Sequence, residues 1–285
     1  MAGFSSVAAL ADADAAGRTH FCSLRKVPSQ ASTAGWWVDY SMAAGNPFPN
    51  YYASSPLVAA TLDPLRGIWH GTDKSPATKH VTALGLMTAT AGMVGRYTLC
   101  DYLLYYPFVD AGDADTQTMD NTVTLPRYAD GDGVQMMAVT VAPTAGSEAF
   151  TVTYVNQDGV EQASPTQVCA NTASPIASIA TSQQAVAGLP GGPFLKLAAG
   201  DTGVRSVTSV TFTNPVGGLL CIVLVKPLID LAIREVSTMA EVQSVRLRPG
   251  APQVYDGAYL NLIGNCAATV AAGLLTGYAT FAWSE

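Results

Sequence analysis

Strand-like patterns dominate the chain from residue 97 onward. In residues 149–155, Phe, Val and Tyr alternate with Thr, which predicts a half-buried strand. The stretches 97–109 and 134–142 are rich in aliphatic and aromatic side chains, which also favours strands. The pattern of apolar and polar positions therefore predicts a mainly β protein.

Turn signals connect several of these segments. The sequence Asn-Gln-Asp-Gly predicts a hairpin between 149–155 and 160–168, and Pro165 indicates that the second strand lies at a sheet edge. The sequence Asn-Pro-Val-Gly likewise predicts a hairpin between 204–213 and 218–225. Both pairs favour antiparallel sheets.

Helical patterns are few. An Ala-rich stretch, 5–16, predicts one short helix, and 176–187 predicts a second one that ends at a Gly/Pro-rich segment. Residues 229–248 fit either a helix or a strand. The two C-terminal stretches, 254–263 and 269–283, are β-rich.

The N-terminal region has a different character. Residues 35–68 are crowded with aromatic rings and interrupted by four prolines, which prevents long regular elements and predicts an ordered arm. We therefore expect three parts: an arm and aromatic Pro-rich segment at 1–85, a β-sandwich at 86–228, and a segment at 229–285 that completes the sandwich or forms a small lobe. With no repeated βαβ pattern, the predicted fold is an antiparallel, jelly-roll-like β-sandwich with an extended N-terminal arm and little helix.

The composition indicates a protein that contacts other proteins. Of 285 residues, 49% are hydrophobic and only 12% are charged, against about 25% in ordinary domains, which excludes a disordered chain. The low charge favours burial of surface in an assembly, although a neutral surface of Ser, Thr, Asn and Gln is the alternative. A net charge of −7 argues against direct nucleic-acid binding.

The cysteines and the apolar stretches give no sign of secretion or of a membrane anchor. The five cysteines show no metal-binding spacing, which predicts buried thiols in a reducing compartment, with an intermolecular disulfide as the alternative. No basic signal-peptide start and no Leu-rich spanning segment is present, so we expect no membrane partner.

The sequence offers no catalytic motif, and we expect neither an enzyme nor a cofactor. His70 and His80 flank Asp73, which permits a metal or an acid–base pair, but surface or locally bonded histidines are the simpler interpretation. Asp130 and Asp132 lie in an Asp-Gly repeat that could bind calcium. Because Asp-Gly pairs are typical of turns, these two residues are weak candidates and we predict no metal site.

One group of aromatic residues is a candidate interface. Its members are Trp36, Trp37, Tyr40, Phe48, Tyr51 and Tyr52. Such rings can anchor a neighbouring subunit, stack on sugars, or pack in the chain's own core, and all three interpretations stay open.

Several segments carry a resemblance to a known group of proteins. They include GWWVDYSMAAGNPFPNYYASSPL, CDYLLYYPFVDAGDADTQTMDNTVTLPRYADGDGVQMMAV, FTVTYVNQDGV and DGAYLNLIGNCAATVAAGLLTGYATFAW. In their residue content and in their order along the chain, they resemble virion structural proteins of tailed bacteriophages. The resemblance implies a capsid decoration, cement or minor head protein, or a neck, tail or baseplate component. It transfers no site residues.

The resemblance also implies the partners and the location. We expect a homo-oligomer that contacts neighbouring virion proteins, above all the major capsid protein, in a virion whose subunits are synthesised in the host bacterial cytoplasm. Binding of a host glycan through the aromatic residues is the alternative function. In the assembly interpretation, deletion of residues 1–65 should leave a folded β domain that no longer incorporates.

Overall fold

Three antiparallel β-sheets pack face to face in the computed structural model, which describes residues 4, 6–28, 32–183, 192–243, 251–270 and 272–284. The predicted mainly β fold with sandwich-like packing is confirmed. The strands are divided among three sheets.

The first layer, the terminal sheet, contains strands from both ends of the chain. Its strands are β1 (Thr19–Val27), β3 (Ala44–Asn46), β4 (Lys79–Thr88), β13 (Ala240–Gln243), β14 (Gln253–Val254) and β16 (Leu275–Trp283). Their order is β13-β4-β16-β1-β3, and β14 pairs with β4. The register between β1 and β16 runs from Thr19 opposite Ala282 to Lys26 opposite Leu275.

The second layer, the central sheet, contains the longest strands. Its strands are β2 (Trp37–Asp39), β5 (Gly95–Asp110), β7 (Gln135–Ala142), β12 (Leu219–Ile233) and β15 (Tyr259–Asn265), in the order β2-β15-β5-β12-β7. The strands β5 and β12 are buried on both faces, which explains their nearly continuous apolar sequences.

The third layer, the lateral sheet, contains the predicted hairpin. Its strands are β6 (Gln117–Thr118), β8 (Ala149–Asn156), β9 (Glu161–Ala163), β10 (Gln167–Val168) and β11 (Val204–Asn214). The hairpin prediction is confirmed, because β9 and β10 both pair with β8. Pro165 separates these two short edge strands, as a residue without an N–H donor should.

Each side of the central sheet has its own hydrophobic core. Side chains of β12 alternate between them: Val223 lies in the core shared with the terminal sheet, and Ile222 lies in the core shared with the lateral sheet. Leu84 and Phe281 of the terminal sheet also belong to the first core, and Phe212 of the lateral sheet belongs to the second. The central sheet thus holds the outer two sheets together.

A segment of turns and isolated bridges, 177–180, joins the two edge strands of the central sheet by hydrogen bonds. The Ile179 amide donates to the Trp37 carbonyl of β2 at 2.9 Å, and the Ala177 amide donates to the Thr140 carbonyl of β7 at 2.9 Å. The two edge strands of the sheet are therefore bridged, which leaves fewer unpaired backbone groups at its edges.

The structure corrects the predicted helix 176–187. Residues 176–183 are bridges and turns, and 184–187 lie outside the described residues. Because the amides of Ala177, Ile179 and Ala180 bond to the two edge strands of the central sheet, they are not available for bonds within a helix.

The predicted hairpin of 204–213 with 218–225 is also wrong. Both strands exist, but β11 pairs in the lateral sheet and β12 in the central sheet. The Ala111 carbonyl accepts from the Val216 amide at 3.0 Å, and the Ala111 amide donates to the Gly218 carbonyl at 2.9 Å. These bonds attach the connection between β11 and β12 to the end of β5, where the chain passes from the lateral sheet to the central sheet.

The remaining elements agree with the N-terminal and C-terminal patterns. One helix, α1 (Val7–Ala15), begins after Ser6, whose side chain accepts from the Ala9 amide. In the ambiguous stretch 229–248 the described residues include the end of β12 and all of β13, and 244–248 lie outside them. The strands β4 and β12 run continuously through the expected boundaries at residues 85 and 228. No helix among the described residues is long and apolar enough to cross a membrane.

Candidate interaction surface

The six aromatic residues that the sequence predicts as an interface divide between the interior and the surface. Trp36, Tyr40 and Tyr52 are buried within the chain, and Trp37 is half-buried against the first core. Only Phe48 and Tyr51 are exposed, at 70% and 60%. These two rings are therefore the members of the group that a partner could reach.

A buried carboxylate holds the aromatic segment in place. Asp39 accepts hydrogen bonds from the Tyr52 hydroxyl at 2.5 Å, the Tyr102 hydroxyl at 2.7 Å, and the Ser41 amide and hydroxyl at 2.8 Å each. Burial raises the pKa of Asp39, while these four hydrogen bonds act in the opposite direction. Because Tyr102 belongs to β5, the network ties the arm to the middle of the central sheet.

A buried lysine provides a second anchor. The Lys26 ammonium donates to the Ala43 carbonyl at 3.2 Å and to the Pro47 carbonyl at 2.9 Å. Burial lowers the pKa of Lys26 to about 8, and the negative charge of Asp39 opposes that shift. The predicted arm is thus integrated into the fold at two points.

The outer side of the terminal sheet forms a second aromatic surface, which the sequence patterns did not single out. On it, Phe21 of β1 stacks on Tyr278 of β16, with ring centroids 5.4 Å apart and an interplanar angle of 25°. Phe21 is 61% exposed. The Tyr278 hydroxyl donates to the Glu241 carboxylate on β13.

A glycine on β4 lets the Tyr278 ring lie flat on the sheet. A Cβ at Gly85 would lie 2.4 Å from Cε1 of that ring, so no other residue fits without displacing it. Tyr278 and Glu241 both pair with Gly85 in the sheet register, which explains how the hydroxyl reaches across β4. The Tyr278 ring covers the bare backbone at this point.

The strand register defines the rest of this surface, which we call the aromatic face. Residues opposite each other in an antiparallel pair share a side of the sheet. The aromatic face consists of Phe21, Ser23 and Arg25 on β1, Thr276, Tyr278 and Thr280 on β16, Ala83, Gly85 and Met87 on β4, and Glu241 and Gln243 on β13. It combines two large rings, hydroxyl groups and small residues with one cation and one anion.

The comparisons with known proteins leave the family open. No family model matches the chain, and no curated protein is significantly similar to it. A crystal structure of the infectious bursal disease virus VP2 subviral particle aligns over 93% of this chain and 80% of that chain, at 9% identity and a TM-score of 0.17. A TM-score this low carries no argument about fold or function. The resemblance to tailed-phage proteins stays a prediction.

The charge distribution of the folded chain strengthens the compositional argument. The chain has 14 Lys and Arg and 21 Asp and Glu for an accessible surface of 11560 Å², or about 330 Å² per charged residue, roughly twice the usual area. Several of these charges are not on the surface at all. Lys26, Asp39, Lys79, Asp101 and Glu148 are buried.

The Asp-Gly repeat forms a turn that its own hydrogen bonds hold. The Asp132 amide donates to the Asp130 carboxylate at 3.3 Å, and the Asp132 carboxylate accepts from the Thr202 hydroxyl at 3.0 Å. Lys226 donates to the Asp132 carbonyl at 2.6 Å. Over the described residues, no group of three or more His, Cys, Asp or Glu side chains is placed to hold a metal ion.

The two histidines near Asp73 have separate partners. His80 Nδ1 lies 2.8 Å from the Ala251 carbonyl oxygen. His70 Nε2 lies 3.0 Å from the Ala258 carbonyl oxygen, and its Nδ1 lies 2.9 Å from the Lys79 ammonium, which also contacts Asp256. His70 is therefore neutral, accepting from Lys79 and donating to the Ala258 carbonyl.

The neutral His70 predicts a pH-dependent stability. Burial, followed by the nearby Lys79 charge, lowers the pKa of His70 from 6.5 to about 4. Between pH 6.5 and about pH 4, His70 is protonated in the unfolded chain but stays neutral in the folded chain. The contribution of His70 to the free energy of unfolding is therefore full above pH 6.5 and declines as the pH falls toward 4. We expect His70 to account for a loss of about 2 kcal/mol between pH 7 and pH 5 in urea unfolding.

The matched control is His70→Gln, which can accept from Lys79 and donate to the Ala258 carbonyl but does not titrate. Its unfolding free energy should change less over the same pH range, because the contribution of His70 is absent. All other ionisable groups are present in both proteins and cancel in the comparison. Equal pH dependence in the two proteins would contradict the assignment of this loss to His70.

The five cysteines are thiols, and all but Cys22 are buried as the sequence predicts. Cys22 is half-buried, and burial raises its pKa. A raised pKa lowers the thiolate fraction, which makes this cysteine less reactive than an exposed thiol.

Proposed function

We propose that the protein is a non-enzymatic structural subunit of a virus particle, and more specifically a decoration, cement or minor head protein of a tailed phage. It would assemble with copies of itself and with a neighbouring shell protein. The aromatic face carries this proposal, because Phe21 and Tyr278 present a stacked apolar surface on an open sheet. Exposed aromatic clusters of this kind are typical of protein interfaces.

Two further observations support a structural role. The surface is poor in charge, and depletion of charge is the compositional mark of interface centres. His70 and His80 are held by bonds to lysine or backbone groups and do not face each other as a catalytic pair. The phage resemblance of the sequence supports the finer assignment to a tailed-phage head.

The proposal is tested by the mass of the full chain in solution, measured by light scattering and sedimentation over a wide concentration range. We expect concentration-dependent self-association that Phe21→Ser weakens at least tenfold, because that change removes the most exposed ring of the face. The matched control is Val160→Ser, which removes an apolar side chain that is 50% exposed on the lateral sheet. It should leave association unchanged.

A monomeric wild-type protein at every concentration, together with no density for it on purified particles, would remove the assembly proposal. Equal weakening by Phe21→Ser and Val160→Ser would instead show that the aromatic face is not the surface used.

A second candidate function is binding of a host glycan, as in a tail or receptor-recognition component. The exposed rings of Phe48 and Tyr51 favour it, since exposed aromatic faces can stack on sugars. A glycan array with the wild type and the Phe48→Ala/Tyr51→Ala double variant separates the two functions. Glycan binding that the double variant loses would favour recognition over assembly.

A further inference from the structure

We propose that the aromatic face pairs with the aromatic face of a second copy about a twofold axis that runs close to β16. This inference rests on the proposed function, self-assembly, and specifies its surface and its symmetry. A twofold interface is isologous, so each residue i that contacts j is matched by j contacting i. The face must therefore be complementary to itself, and its register shows that it is.

The first complementarity is one of size. β1 and β4 flank β16 on opposite sides, and Phe21 and Ala83 both lie opposite Thr280. A twofold axis along β16 exchanges the two sides, so Phe21 of one copy comes to lie over Ala83 of the second copy. The most protruding ring of the face thereby meets one of its smallest side chains.

The neighbouring row of residues shows a similar complementarity of size. Ser23 and Gly85 both lie opposite Tyr278, so the exchange sets Ser23 of one copy over the Tyr278 ring that covers Gly85 of the other. Tyr278 itself lies on β16 and meets its own copy. Because each Tyr278 ring leans over Gly85 of its own copy, away from the axis, the two rings lie on opposite sides of the axis and do not obstruct each other.

The second complementarity is one of charge. Arg25 lies on β1 at one side of the face, and Glu241 lies on β13 at the other side. The exchange of sides brings Arg25 of each copy toward Glu241 of the other, so the pair occurs twice. The Glu241 carboxylate already accepts from Tyr278 and Gln243, and a carboxylate has room for further donors.

The size of the face sets the expected strength of the pairing. Three rows of residues across four strands cover roughly 400 Å² per copy, given spacings of about 4.8 Å between strands and about 3.4 Å per residue, with two residues from one row to the next. A standard stable interface buries about 800 Å² per partner. We therefore expect a dimer that forms reversibly and strengthens when the subunits are held side by side in a particle.

Charge reversal provides the test, with sedimentation of the full chain as the measurement. Arg25→Glu alone sets like charges against each other twice per dimer, as does Glu241→Arg alone. Each is expected to weaken dimerisation roughly 30-fold or more. An equimolar mixture of the two single variants restores both pairs, and so does the double variant Arg25→Glu/Glu241→Arg. Both should dimerise within about threefold of the wild type.

Rescue on mixing keeps the test independent of folding, because two misfolded chains cannot restore each other. Association of each single variant at wild-type strength, or no rescue in the mixture, would overturn the twofold pairing. In the first case the proposed assembly would stand and use another surface. A wild-type protein that stays monomeric would contradict the assembly proposal itself. Oligomers larger than a dimer in the rescued mixture would contradict the twofold axis and indicate a head-to-tail contact instead.

Discussion

A chain that lacks residues 1–65 is expected to lose its cooperative fold. Deletion removes both β1 and β3 from the terminal sheet, and with β1 the eight register pairs that it forms with β16. It also removes Leu24, Trp36, Tyr40 and Tyr52, all buried. At about 1.5–3 kcal/mol for each such side chain, their loss alone rivals the usual stability of about 5–15 kcal/mol.

The measurement is chemical unfolding of the deletion variant followed by circular dichroism and tryptophan fluorescence. A deletion of residues 1–18 is the matched control. It removes α1, which packs on β16, but leaves every strand intact, and it should unfold cooperatively with a loss of no more than about 2 kcal/mol. A single sharp transition near the wild-type midpoint for the 66–285 chain would contradict this expectation.

This result would reverse the expectation drawn from the sequence, in which the arm docks onto a domain that folds without it. The prolines and aromatic rings correctly indicate an ordered segment, yet they do not show that Asp39 and Lys26 attach it to the interior. A buried Asp or Lys cannot be distinguished from a surface one when only its neighbours in sequence are known.

Replacement of Asp39 by Ala is expected to destabilise the protein by about 4 kcal/mol. The change removes the carboxylate to which the hydroxyls of Tyr52, Tyr102 and Ser41 donate, and it leaves them only the contact between Ser41 and Tyr52 and that from Tyr102 to the Leu262 carbonyl. The loss of a buried acceptor costs about 1–3 kcal/mol for each donor left unsatisfied. Release of a buried charge offsets part of this loss, because burial already disfavours the ionised form.

Two matched variants make the Asp39 prediction specific. Tyr52→Phe removes the hydroxyl that contacts both Asp39 and Ser41 and should cost about 1–2 kcal/mol. Asp39→Asn keeps the shape and one acceptor oxygen and should cost less than Asp39→Ala. Unfolding midpoints in urea supply the comparison. An Asp39→Ala protein within 1 kcal/mol of the wild type would show that the network is not a principal support of the arm.

Local patterns succeeded where pairing partners are close in sequence. The alternation of Phe150, Val152 and Tyr154 identified β8, and the turn that follows it correctly joined β8 to β9. The same reasoning failed for β11 and β12. Their turn signals are as strong, but each strand finds its partners elsewhere: β11 pairs with β8 and β6, and β12 with β5 and β7.

The aromatic face escaped prediction for a related reason. Phe21 is a single ring among polar residues on β1, and Tyr278 sits among threonines and glycines on β16, so neither segment looks unusual alone. The face exists only because β1 pairs with β16. An alternation of Phe21, Ser23 and Arg25 could have shown one side of a strand, but not its neighbour.

Pairing of β1 with β16 has a consequence for the timing of biosynthesis. Thr19 lies opposite Ala282, so more than nine-tenths of this sequence must be translated after β1 before β1 can pair fully with β16. At about 5–20 residues per second, that interval is roughly 15–50 s. During it the aromatic face cannot form, and nascent chains on one polysome cannot pair through it. Association through this surface is thereby postponed until β16 has been translated.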